Sequence, residues 1–287
     1  MNLTQYDSIA RGTSDEVITV IRPGKGFTNL ELRAVWQFRE LLYFLVWRNV
    51  KVRYKQTIIG SAWAIIQPLM AMLIFTVIFG GLAKIPSDGL PYSIFAYTAL
   101  LPWTYFSQAV TGSGASLIGN SNLVRKVYFP RLIIPMAEVA APLIDFFVSF
   151  LALLVMMAWF GIAPRWSVLA LPLFLLLALM TAFAVGLWLS TLNARYRDVG
   201  HAVPFLMQIW LYASPIVYPV SLIPEQWRLL YSLNPMVGVI EGFRWTLLGR
   251  EVPAFGVIAV GAAVAVVLLL GGIIFFKRME QTFADVI

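Results

Sequence analysis

The 287-residue chain has no cysteine, which removes disulfides, thiolate metal centres and cysteine nucleophiles together. Either redox environment tolerates such a chain, so the compartment stays open. One histidine, His201, leaves little room for an imidazole metal site or a histidine base. Charge is also scarce. Asp, Glu, Lys and Arg make up 12% of the residues, about half the roughly 25% a soluble domain uses to cover its surface. No glycine-rich loop leads into Lys-Ser or Lys-Thr; the stretch from Gly112 to Asn120 has glycines but no lysine, so a phosphate-binding loop is missing. Zinc-spaced histidines and a nucleophile elbow are missing too. No catalytic or metal-ligating residue is therefore assigned.

What is present is apolar: 60% of the residues are hydrophobic and the mean hydropathy is +0.81. Much of the surface must face lipid. An apolar run of ~20 residues crosses a bilayer as a helix, and six such stretches lie near 62–83, 92–112, 132–160, 168–192, 203–220 and 255–276. They predict an all-α integral membrane protein with six transmembrane helices. The second and fifth are the weaker ones, interrupted by Pro102, Gln108, Pro204, Gln208 and Pro215. No internal repeat is visible.

The net charge of +7 is explained by topology. With both termini on one side, that side carries sixteen Lys and Arg residues, including Arg11, Arg22, Lys25, Arg53, Lys55, Arg125, Lys126, Arg195 and Arg197. The other side keeps Lys84, Arg165, Arg228, Arg244 and Arg250. The positive-inside rule then predicts a multi-pass protein with both termini in the cytoplasm. Headgroups of membrane lipids account for most of this charge, and nucleic acid is not expected as a partner. The polar N-terminal tail, 1–34, has no early apolar stretch, so no cleavable signal peptide is expected.

Three segments are not simple spans. In 35–50, Val35, Phe38, Leu42, Leu45 and Val46 recur at helical spacing with Arg39, Glu40 and Arg48 on other faces. That pattern predicts an amphipathic helix in the cytoplasmic interface, followed by a basic linker to residue 61. It serves either as an anchor or as a scaffold for a docked subunit. Residues 113–131 have room for a short helix. Their Leu117, Ile118, Leu123 and Val124 must pack on a partner or on the chain's own membrane domain, 62–287. On the outer side, 219–250 holds two apolar stretches, about 224–232 and 235–248, broken at Asn234 and Pro235. Neither spans; re-entrant half-helices after the fifth span, in 221–250, fit better than an ordinary outer cap.

Two acids, Glu138 and Asp145, lie seven apart on one face of the third span, where charge is costly. A conduit lining or proton relay is one reading. A hydrogen bond or ion pair to a neighbouring helix is the other, and it is favoured because only two such acids occur. Aromatic residues make up 14% of the chain. Trp63, Phe75, Phe79, Tyr97, Trp103, Tyr105, Phe106, Trp210, Tyr212 and Tyr218 fall in the first, second and fifth spans. Many membrane aromatics are interface anchors. Sugar rings also pack their C–H faces on aromatic rings, so a polysaccharide conduit has a use for them.

Five long segments now add up to a resemblance: VRYKQTIIGSAWAIIQPLMAMLIFTVIFG at 52–80, LLPWTYF at 100–106, NSNLVRKVYFPRLIIP at 120–135, LNARYRDVGHAVPFLMQIWLYASPIVYP at 192–219 and IPEQWRLLYSLNPMVGVIEGFRWTLLG at 223–249. The chain resembles the ABC-2 type permeases, most closely those exporting O-antigen, capsular or teichoic polysaccharide, from residue 35 onward. The resemblance implies a homodimer of this subunit in a bacterial inner membrane, joined by two copies of an ATP-binding-cassette subunit. That partner binds ATP and Mg; this chain holds no cofactor. It further implies that 35–50 cradles the ATPase, that 113–131 is a gate and coupling segment, and that the turn at 193–198 is a second contact. The implied substrate is a polyprenyl-pyrophosphate-linked glycan. Arg53, Lys55, Arg125, Lys126, Arg195 and Arg197 stand where its pyrophosphate would enter. Trp63, Phe75, Tyr97, Trp103, Trp210, Tyr212 and Tyr218 are the candidate channel aromatics. The alternatives are an ABC-2 permease for another lipid or a drug, a proton-coupled transporter using Glu138 and Asp145, and a membrane glycosyltransferase. The last lacks paired carboxylates at a cytoplasmic face.

Overall fold

A computed structural model describes residues 32–55, 57, 59–250, 252–280 and 283. The tail at 1–31, with Arg11, Arg22 and Lys25, lies outside them. Every regular element among the described residues is helical, and four helical stretches are long and apolar enough to cross a membrane: Gly60–Leu82, Ile133–Trp159, Trp166–Arg195 and Phe255–Glu280.

Helices α1 (Leu32–Gln37) and α2 (Arg39–Tyr54) meet at a break on Phe38. The apolar set read from the sequence packs inward: Leu45 is buried, with Val35, Phe38, Leu42 and Val46 against the same cluster. Gly60, at φ +58°, reverses the chain into the first long helix, a conformation open to glycine without steric cost. Then come α3 (Trp63–Phe75) and a π-helical turn, Thr76–Leu82. Pro68 sits inside α3 and cannot donate to the Ala64 carbonyl. The Ser149 hydroxyl donates to that carbonyl instead, at 2.6 Å, as an apolar environment requires.

The centre of the bundle is α4 (Tyr92–Gly119), 28 residues long, or about 42 Å at 1.5 Å per residue. It carries the second expected span and runs on through 113–119, which the sequence reading placed in a separate segment. Close packing holds it there: α4 presents Gly112, Ser113 and Gly114 to its neighbours, and Gly186 of α8 lies directly against Ser113. Small residues let two backbones approach where no water competes. Only α5 (Ser121–Lys126) remains as a short helix. Leu117 and Val124 are buried in the protein's own core and Leu123 packs beside them, while Ile118 is exposed.

The third stretch is divided into α6 (Ile133–Ala140) and α7 (Leu143–Trp159). Pro142 is the cause, since it lacks the N–H that would bond the Glu138 carbonyl. Helices α8 (Leu171–Arg195) and α9 (Asp198–Tyr212) follow. The latter begins earlier and ends sooner than the 203–220 read from the sequence, because Ser214–Pro215 cannot extend it. At 15 residues, α9 is about 22 Å long, short of a ~30 Å hydrocarbon layer. Helices α10 (Glu225–Tyr231) and α11 (Pro235–Leu248) are short and separated at Asn234, whose side chain caps α11 by accepting from the Met236 N–H at 3.1 Å. The last is α12 (Phe255–Glu280). Gly271 and Gly272 seat Trp188 of α8, whose indole donates to the Leu268 carbonyl at 3.0 Å.

Two clusters form the core. The larger surrounds α4; the smaller joins α2, α5, α6 and the ends of α8 and α12 at one end of the bundle. That end carries Arg125, Lys126, Arg195, Lys277 and Arg278 in the last turns of their helices and is called the basic end below. At the opposite end, Arg244 of α11 is buried, pairs with Glu241 at 3.0 Å, donates to the Ile216 carbonyl at 3.1 Å and lies 3.6 Å from the Phe95 ring centroid.

Candidate functional site

The polar face of α2 is the starting point, because it meets the only acids of the third stretch. Arg48 donates to Asn120 at 2.7 Å, and its neighbour Asn49 donates to Glu138 at 2.9 Å. One turn further along α2, Arg53 ion-pairs with Asp145 and donates to Gln108 at 3.2 Å. The four-residue step on α2 thus matches the seven-residue step from Glu138 to Asp145. Both acids have partners on a neighbouring helix, and the buried charge of Asp145 on α7 is matched by the Arg53 guanidinium of α2.

Beside this pair opens a cavity of about 630 Å³, between the end of α2, the start of α3, and α4 and α7. Arg53, Trp63, Gln67, Gln108, Thr111 and Asp145 line it. The second Asp145 oxygen and the Tyr54 hydroxyl are buried with no hydrogen-bond partner among the described residues. The Arg53 side chain is one-third exposed (33%) and the Asp145 side chain nearly closed off (10%). A guanidinium presents five N–H donors in a planar fork suited to phosphate or carboxylate oxygens. Here Asp145 and Gln108 both accept from Nη1 of that fork, and Arg53 lines the cavity. Among the described residues, no group of three His, Asp or Glu side chains is placed to hold a metal ion.

The other candidate cations are not in this wall. Lys55, Arg125, Lys126, Arg195 and Arg197 are exposed, with Arg195 over the Tyr196 ring at 5.4 Å. The candidate aromatics divide into three groups. Tyr97 and Trp103 are buried inside the protomer, Tyr97 donating to the Ser149 carbonyl at 3.2 Å. Trp63 and Tyr212 are exposed, at 45% and 51%. Phe75, Trp210 and Tyr218 are half-buried against the core. Trp210 and Tyr218 stand near the opposite end: the Trp210 indole donates to Asn234 at 2.9 Å and Tyr218 meets the Tyr231 hydroxyl at 2.9 Å. The structure therefore brings Arg53, Asp145 and Trp63 to one cavity wall, with Glu138 beside Gly112 of the same wall, and leaves the other candidate cations outside it. Sequence reading missed Asn49, Gln67 and Asn120. Their signal was available: amides in or beside apolar stretches must find partners.

The comparisons with known proteins cover most of the chain. The family model described as ABC-2 type transporter matches residues 40–248. An O-antigen export system permease protein, RfbA, of Myxococcus xanthus is 31% identical over 256 residues, 88% of this chain and 98% of that protein. An RfbA of Klebsiella pneumoniae is 27% identical over 249 residues, 86% of this chain and 95% of that protein. The polysialic acid transport protein KpsM of Escherichia coli is 24% identical over 244 residues, 82% and 91% of the two chains. With these matches and its apolar helices, the chain is a multi-pass membrane permease, and it belongs to the ABC-2 type transporter family.

Proposed function

We propose that this chain is the membrane-spanning subunit of an ATP-driven exporter that moves a polyprenyl-pyrophosphate-linked polysaccharide, O-antigen in the first instance, across the bacterial inner membrane. The match to O-antigen export permeases over nearly the whole chain carries the reading. Two copies of the chain form the conduit, with two copies of a separate ATP-binding-cassette subunit that binds ATP and Mg. The basic end faces the cytoplasm, with both termini there, and six segments cross. The fifth crossing combines α9 with residues 213–219; α10 and α11 dip back from the outer side.

In this reading the pyrophosphate meets the exposed cations of the basic end, among them Arg125, Lys126, Arg195 and Arg197, and then the cavity at Arg53. Asp145 holds the Arg53 fork until pyrophosphate oxygens replace its carboxylate. Trp63 and Tyr212, exposed on α3 and α9, offer ring faces to passing sugars, with Phe75, Trp210 and Tyr218 behind them; Tyr97 and Trp103 support the wall from the core.

The first test is purification of the full chain from its native membrane in mild detergent, with identification of what stays bound. An ATP-binding-cassette subunit at one-to-one stoichiometry, with lipid-linked glycan, is the expected result. A chain that is reproducibly alone and stable overturns the reading. A bound ATPase with a glycan-free lipid or drug as cargo points to the alternative permease.

A further inference from the structure

At the end opposite the basic one, a second groove of about 720 Å³ opens between the turn leading into α8 and the C-terminus of α11. Its wall includes Arg165, Trp166, Leu169, Trp245, Gly249 and Arg250. Arg165 is seated by Gly249, which ends α11 at φ +67°. A Cβ there would lie 2.8 Å from the guanidinium carbon, so glycine is needed both for the turn and for the seat. From that seat Arg165 donates to the Gly249 carbonyl at 3.2 Å. The Ser167 hydroxyl bonds the Thr246 carbonyl at 2.9 Å, and Trp245 stands edge-on to Phe174. The groove walls are thus held from both elements.

Helix capping accounts for Arg165 but not for Arg250, whose Nε is buried with no hydrogen-bond partner among the described residues. Among the described residues no carboxylate pairs with either guanidinium, whereas the neighbouring Arg228 and Arg244 each have a glutamate. Two such cations on the cation-poor side of the molecule call for an anion. Its depth follows from the surroundings. Trp159, Trp166 and Phe255 are 86%, 89% and 85% exposed, at the same ends of three apolar helices, where aromatic rings mark the headgroup level. Trp166 and Leu169 (78% exposed) give the groove an apolar lip on that side.

We infer that this groove binds the phosphate headgroup of a lipid in the leaflet opposite the basic end, with Arg165 and Arg250 on the phosphate oxygens and Trp166 and Leu169 against the first acyl carbons. The phosphate comes either from bulk anionic phospholipid or from a polyprenyl diphosphate carrier, and the recognition chemistry is the same for both. The site does not depend on the function proposed above.

Photo-crosslinking of the full chain in native-composition vesicles tests it. The probes are diazirine-bearing phosphatidylglycerol, polyprenyl diphosphate and, as a headgroup-free control, diacylglycerol, with adducts mapped by peptide. Phosphate-bearing probes are expected to label the peptides around 164–169 and 245–250, and Arg250→Gln to cut that labelling about tenfold or more. Arg250→Lys keeps part of it, and adducts elsewhere stay unchanged. Loss for both phosphate probes identifies bulk phospholipid as a ligand; loss for polyprenyl diphosphate alone identifies the carrier. Labelling unchanged by Arg250→Gln, or equal labelling by diacylglycerol, overturns the inference. Arg165→Gln serves as a second variant, but it also uncaps α11. Arg250 makes no hydrogen bond among the described residues and caps no helix, and therefore decides the test.

Discussion

Arg53 of α2 and Asp145 of α7 are 92 positions apart and join the two helices. Their contributions differ with their burial. Removing Arg53 leaves a nearly enclosed carboxylate without its counter-charge, while removing Asp145 leaves a guanidinium that still has Gln108 and some solvent. Breaking a fully buried pair costs about 3–5 kcal/mol, and the one-third exposure of Arg53 reduces that. Arg53→Gln is therefore expected to lower the melting temperature of the detergent-purified protein more than Asp145→Asn. The exchanged pair, Arg53→Asp with Asp145→Arg, is expected to recover melting but not export, because the guanidinium then points from α7 instead of α2. Recovery of export by the exchange would show that only the pairing matters and would remove Arg53 from the pyrophosphate path.

At the scale of elements, the central contact is α4 on α8, where Gly186 and Ser113 lie against each other. Gly186→Ala would place its methyl inside contact distance of the Ser113 side chain, and overpacking of this kind costs about 1–3 kcal/mol. Thermal melting should show the loss, and Ser113→Gly should restore it in the double variant. Failure of that rescue would mean that the helices part elsewhere. The same contact explains why α4 does not stop near residue 112. The apolar run ends near 112 in the sequence, and 113–131 reads as a separate segment with room for a short helix. In the bundle Gly114 packs on Leu189 of α8, Gly112 lies against Glu138, and Gly186 of α8 makes the room for Ser113. The proline effects differ in legibility. Pro142 divides the third stretch as a proline should, whereas the repair of the Pro68 gap by Ser149 depends on a residue 81 positions away.

For the whole molecule, the absence of cysteine makes orientation directly measurable, since any introduced thiol is unique. In intact spheroplasts treated with a membrane-impermeant maleimide, Lys84→Cys in the loop before α4 should label at once and Arg125→Cys in α5 only after permeabilisation. Labelling of both positions before permeabilisation would refute a single crossing between them, and the reverse order would refute the orientation. Both sites are exposed, so access across the membrane, and not burial, decides the outcome.

Much of this was readable from composition and order. Lipid does not solvate charge or open backbone, so long uncharged runs had to become helices and most lysines and arginines had to fall outside them. The apolar set of α2, the break at Asn234–Pro235 and the presence of four strong spans follow from that physics alone. The tertiary structure decided which polar groups meet. Hydrogen bonds and ion pairs act over about 3 Å, and their partners here lie 55 to 92 residues apart in the chain; no periodicity records such a distance. It likewise drew Tyr97 and Trp103 into the core and left Trp63 and Tyr212 outside, because an aromatic side chain in an apolar helix is equally at home against lipid or protein. Packing alone chooses between the two.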